Sequence, residues 1–194
     1  SDDFDGISTG TGSDTVSLVS GNVFNAIISD GGALLILVQG GSLNTSVNFT
    51  DGVRMEGDGS VDIQGDLTAG FNGIVVLGTG DILILGNVTA QQAGVTLGSG
   101  TVDFTGTIIA TFSDGILVSG AGEVFANGSI TSAGDGIELG GGTVSFTGTI
   151  DSSQSNGIYV QGVGEVFAAG DITAAQQGIS LGAGSVEFSG TINS

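Results

Sequence analysis

The stretch Gly98-Ser99-Gly100-Thr101-Val102-Asp103-Phe104-Thr105-Gly106-Thr107-Ile108 decides the fold, because it returns almost unchanged at Gly140 to Ile150 and at Gly182 to Ile192. A related form, Gly120-Ala121-Gly122-Glu123-Val124-Phe125-Ala126-Asn127-Gly128-Ser129-Ile130, returns at Gly162 to Ile172. Working outward, a glycine followed by Ile or Val stands at Gly52, Gly73, Gly94, Gly115, Gly136, Gly157 and Gly178, every interval being 21 residues. The two forms alternate. Four residues precede the Gly-x-Gly in one and five in the other, so the full period is a pair of units.

Each unit holds short apolar/polar alternations that are too brief and too glycine-punctuated for helices. β-Branched residues fill the alternating positions, as strands prefer. A unit of this length cannot bury its own apolar side, but stacked on its neighbours it closes a continuous core. The expectation is an all-β, right-handed parallel β-helix (a β-solenoid) of about three strands and 21 residues per turn. Residues 1–194 read as one solenoid domain, with degenerate turns over 1–51 and regular ones over 52–194. Roughly nine turns at strand spacing give a rod of about 43 Å.

Three inward columns follow from the alignment. One runs Val61, Ile82, Val102, Val124, Val144, Val166, Val186, and a second Leu67, Val88, Ile108, Ile130, Ile150, Ile172, Ile192. The third alternates in size: Ile63, Ile84, Phe104, Ala126, Phe146, Ala168, Phe188. Large residues stacked between small ones can fill space without voids. Asp-Gly and Asn-Gly corners at Asp51, Asn72, Asp114, Asp135 and Asn156 are expected to supply left-handed backbone.

Composition excludes several chemistries. The 194 residues include no Cys, His or Pro, 39 Gly, and a single basic residue, Arg54, against 20 acids, for a net charge of −19. Imidazole or thiolate catalysis, a usual zinc site and a disulfide framework are therefore absent. Without Lys or Arg there is no phosphate-neutralising patch for nucleic acid, and no attraction to an anionic membrane. No apolar run reaches the length of a membrane span. The opening Ser1-Asp2-Asp3 carries no signal-peptide pattern and reads as the start of a processed or excerpted chain.

The Asp/Asn-Gly-Ile openings and the Gly-Thr-Ile or Gly-Asp-Ile-Thr closings, over residues 52–194, resemble the parallel β-helix of bacterial autotransporter passengers and two-partner-secretion adhesins. That resemblance implies secretion by a Gram-negative bacterium, an extracellular or cell-surface location, and a role in adhesion or as a surface spacer. Separately, Thr9 to Ser17 resembles one calcium-binding nonapeptide of the repeats-in-toxin type, departing from it at the first glycine.

Asp114 and Asp135 fall at the same corner of adjacent turns, about one strand spacing apart, where calcium would relieve their repulsion. Turn chemistry alone also accounts for them. No other cofactor is indicated. The acids Asp103, Glu123, Glu165 and Glu187 could serve a carbohydrate-active enzyme, but no Lys or His accompanies them, and they read as solvated surface. Thr68, Thr89, Thr131 and Thr173 recur only on alternate turns, interrupted by Ile109, Asp151 and Asn193, so no flat ice-binding face results.

Leu83, Phe125 and Phe167 are expected to point outward on alternate turns, a stripe for lateral contact unless a loop covers it. Neither end shows a capping helix. Ser1, Phe4 and Asp5 resemble the tail of a unit that Ile192, Asn193 and Ser194 leave unfinished, so the two ends nearly complete one turn. The leading expectation is a non-enzymatic extracellular fibre subunit, in a surface layer or biofilm matrix, that self-associates head to tail. A passenger segment of a larger adhesin and a carbohydrate-active enzyme are the alternatives.

Overall fold

The computed structural model describes residues 7–18, 22–23, 27–38, 42–44 and 50–194. Ser1, Phe4 and Asp5, placed at the self-assembly end by the sequence, lie outside the described residues. The strands are β1 (Ile7–Leu18), β2 (Asn22–Val23), β3 (Ile27–Val38), β4 (Ser42–Asn44), β5 (Val53–Met55), β6 (Gly59–Gln64) and β7 (Leu67–Ala69). They continue as β8 (Ile74–Ala90), β9 (Val95–Ala110), β10 (Ile116–Ser132), β11 (Ile137–Ser152), β12 (Ile158–Ala174) and β13 (Ile179–Asn193). Every pairing is parallel. The main path runs β1-β3-β5-β8-β9-β10-β11-β12-β13, and stacked coils of about 21 residues make about 8 turns. The fold is a parallel β-solenoid.

The pairing puts the expected columns in place. Val61, Ile82, Val102, Val124, Val144, Val166 and Val186 are successive Cα partners. The column extends upstream through Leu34 to Asp14. Phe104 and Phe146 are fully buried, and Ala126 and Ala168, between and beyond them, are buried. The Phe146 ring can therefore extend over a small neighbour in the coils above and below, and the Phe104 ring over Ala126 on one side. Burying aliphatic side chains of this size contributes about 1.5–3 kcal/mol each, and one core cluster runs from Val16 to Ile172.

Two local expectations are corrected. The coils from β8 onward are not divided into three strands: each is one bent strand of 15–17 residues, whereas the coil before them is split into β5, β6 and β7. The bend needs no break because Gly106, Gly128 and Gly148, stacked partners at one corner, take φ of +143°, +146° and +139°. That region is closed to L side chains and lets the chain turn while the ladder continues.

The second correction concerns the Asx-Gly corners. Their glycines are not among those with positive φ. Glycine is required there for room: a Cβ on Gly136 would lie 2.4 Å from Ile150 Cγ2 and 2.5 Å from the Gly157 carbonyl oxygen. The extra residue of the five-residue form is absorbed as a register shift between Val118 and Ala121 and again between Val160 and Val163. An inserted residue accommodated in this way is a β-bulge.

Candidate functional site

The Asx corner is a side-chain ladder. Asp51 Oδ1 accepts from Asn72 Nδ2 at 2.9 Å, and Asn72 Oδ1 from the Ala93 amide at 3.2 Å. Asp114 Oδ1 accepts from the Asp135 amide at 2.7 Å. Asp135 Oδ1 in turn accepts from the Asn156 amide at 2.7 Å, from Asn156 Nδ2 at 2.9 Å and from Ser155 Oγ at 2.6 Å. Asn156 Oδ1 completes the run by accepting from the Gln177 amide at 3.2 Å. Each Asx carbonyl or carboxylate oxygen thus satisfies a backbone donor of the following coil, which is why Asp and Asn interchange in this column.

Charge is handled differently along it. At Asp51 the chain's single cation is in place: Arg54 Nη1 lies 3.1 Å from Asp51 Oδ2, and Arg54 Nε donates to Glu56. At Asp114 and Asp135 no cation stands by. Instead a third acid joins them, Glu138, with one oxygen of each residue within 4.8 Å of the others. Burial pushes the Asp114 carboxyl above its ordinary value, against the hydrogen bond from the Asp135 amide. Burial also raises Glu138, the neighbouring Asp114 and Asp135 charges add to the rise, and Gln161, donating to its carboxylate, opposes it. Three oxygens so placed could ligate part of the shell of a hard divalent cation. The sequence reading named Asp114 and Asp135 and missed Glu138. Its signal was available, since Glu138 follows the corner by three residues and alternates outward.

The outward stripe is present as expected. Leu83, Asp103, Phe125, Ser145, Phe167 and Glu187 are successive partners. Phe125 and Phe167 are 41% and 42% exposed, and Leu83 is half-buried. No loop folds over them among the described residues. On the same outer face Asp81, Glu123 and Glu165 precede the three apolar residues by two positions, so acidic–apolar rows alternate with Ser/Thr-rich rows. A shallow depression of about 250 Å³ opens beside Phe167, lined in part by Ser145, Thr147, Glu187 and Ser189. The four acids that could serve glycoside chemistry, Asp103, Glu123, Glu165 and Glu187, are all exposed on this open face.

The third feature is the C-terminal edge. β13 pairs with β12 on one side and with no described strand on the other. Val186 and Ile192 are 47% and 42% exposed, whereas Val166 and Ile172, one coil earlier in the same columns, are at 0%. Asn193 and Ser194 are exposed beside them. Among the described residues no helix is long and apolar enough to cross a membrane. No family model matches the chain, and no curated protein or solved structure matches it either.

Proposed function

We propose that this chain is a non-enzymatic structural β-solenoid whose exposed end coil is covered by the first coil of a second copy, building a fibre at an extracellular surface or in a matrix. The observation that carries the proposal is the exposure of Val186 and Ile192 in columns whose members from Leu34 to Val166 and from Leu67 to Ile172 are buried. An open ladder with apolar side chains beneath it is a template for one more parallel coil. A contact between unlike ends does not close, so it propagates. The resemblance to autotransporter and two-partner-secretion passengers supports secretion and a bacterial surface location. Leu83, Phe125 and Phe167 supply the lateral contact between fibres.

The same open edge favours a second reading, in which further coils of one longer chain cover it, as in a passenger segment of an adhesin. Sedimentation and negative-stain electron microscopy over a concentration series distinguish the two. The proposal expects rods that lengthen with concentration, and an Ile192→Lys variant that stays short. Replacing both Phe125 and Phe167 with Ser leaves fibre length unchanged and reduces side-by-side bundling. Monodisperse short rods at every concentration, from neutral to mildly acidic pH, would refute self-assembly.

A further inference from the structure

The first coil carries a group that does not belong in its column. Asp14 is the Cα partner of Leu34, which is buried, and so heads the column that continues through Val61, Ile82 and Val102 to Val186. Its neighbours on β1 alternate as the fold requires: Ser13, Thr15 and Ser17 are exposed, while Val16 is buried. Asp14 therefore points inward. Its Oδ2 is shut off from solvent and has no hydrogen-bond partner among the described residues.

We infer that Asp14 makes end-to-end stacking a proton-controlled step, with each joint taking up one proton at this carboxyl. The inference rests on the stacking proposed above. In a joint that continues the solenoid, Val186 of one copy lies over Asp14 of the next, Phe188 over Val16 and Ile192 over Val23. The Asp14 carboxylate would then be sealed between Val186 and Leu34 with no donor from either, and burying an unpaired charge in an apolar layer is heavily penalised. The protonated carboxyl escapes the charge penalty and keeps only the smaller cost of a buried neutral polar group. An inward-pointing charge on an end coil is also a recognised means of blocking edge-to-edge association.

Among the described residues, the groups facing Asp14 offer no alternative compensation. β3 presents Ala33, Leu34 and Leu35 opposite it, and the acid on that strand, Asp30, lies four residues before Leu34 at an exposed position. The incoming β13 brings Ser185, Val186 and Glu187; Glu187 points outward over Thr15 and adds negative charge rather than relieving it. Arg54, the single basic residue of the chain, is engaged with Asp51 and Glu56.

The sign follows by linkage. A sealed joint favours the neutral carboxyl over the charged one, because it removes the water that would solvate the charge. Assembly is therefore stronger in acid and weakens as pH rises.

The test compares the threshold concentration for fibre growth in the wild type, Asp14→Val and Asp14→Asn between pH 4 and 7. Asp81→Asn, which removes an exposed charge far from either end, controls for the general loss of net charge in acid. The inference expects Asp14→Val to assemble at pH 7 at a threshold at least about tenfold below the wild type. It also expects Asp14→Val and Asp14→Asn to show a flatter pH profile than Asp81→Asn. Wild type and Asp14→Val sharing one threshold and one profile would overturn the switch while leaving stacking intact. No assembly by any of the four chains at any pH would instead remove the stacking itself.

Discussion

Phe146→Ala probes the alternation of large and small residues that packs this core. Phe146 is 2% exposed, and its column partners above and below are Ala126 and Ala168. Truncating it leaves three consecutive alanines, with no larger side chain in the column to fill the space. Phe104 differs: one of its column partners is Ile84, which can relax into the vacated volume. Phe-to-Ala substitutions in cores cost about 3–5 kcal/mol, and the cost rises with the cavity that persists. Phe146→Ala is therefore expected near the upper end of that range and Phe104→Ala near the lower, about 1 kcal/mol apart. Urea denaturation followed by circular dichroism measures both. Hydrogen exchange locates the damage, because solenoid stability is a sum of coil and nearest-neighbour terms. Protection should fall in β10, β11 and β12 and hold in β5 to β8. Equal costs for the two variants, or protection lost uniformly along the rod, would refute the packing argument.

Other outcomes follow from single positions. A Cβ at Gly128 would lie 2.0 Å from the Gly106 carbonyl oxygen at a φ of +146°, so Gly128→Ala is expected to lose more than about 2 kcal/mol of stability by the same urea titration. Gly10→Ala, with nothing within 4 Å, should be neutral or gain up to about 1 kcal/mol through the unfolded chain. Asp135→Ala strands the three donors from Ser155 and Asn156 and should cost about 1–3 kcal/mol. Asp135→Asn keeps an acceptor there and should recover much of that loss.

Asp114→Asn tests the acidic corner by its pH dependence. The raised folded-state values of Asp114 and Glu138 mean that the folded chain holds these protons more tightly than the unfolded one. Their penalty is absent below the ordinary carboxylate range, and it is complete once pH exceeds the raised folded values. The variant should therefore match the wild type in melting temperature in acid and exceed it at neutral pH. The gain stays under about 1 kcal/mol, because water screens these partly exposed groups.

The period, the parallel stacking and the inward columns were legible in the sequence because a solenoid repeats its environment. One residue type recurs wherever one contact recurs, and the Val102, Val124, Val144 series shows this directly. The corners were less legible. The left-handed backbone sits at Gly128 and its stacked partners, and not at the Asx-Gly steps, because both kinds of glycine recur every coil and the repeat alone does not separate a φ requirement from a space requirement. Three strands per turn was the natural reading of glycine-punctuated segments, yet a glycine that bends the chain without breaking the ladder leaves one long strand. Glu138 and Asp14 were missed for a common reason. Each is an acid that occurs once in its column, Asp14 at the head of an aliphatic one and Glu138 in one that changes type at every coil (Thr96, Leu117, Glu138, Tyr159), and a reading built on what repeats gives such residues no weight, although an unrepeated acid marks uncompensated charge.

The most direct test of the account is the register of the joint. The chain has no cysteine, so a pair introduced as Glu187→Cys and Thr15→Cys provides the only thiols. A second copy that continues the ladder places these positions in adjacent coils at about 4.8 Å, within disulfide reach. The pair Glu187→Cys and Ser17→Cys is two residues out of register, at about 8 Å, and beyond that reach. Mild oxidation under fibre-forming conditions should give a ladder of covalent multimers from the first pair and none from the second. Equal yields from both pairs, or dimers from Glu187→Cys alone, would contradict end-to-end continuation of the solenoid.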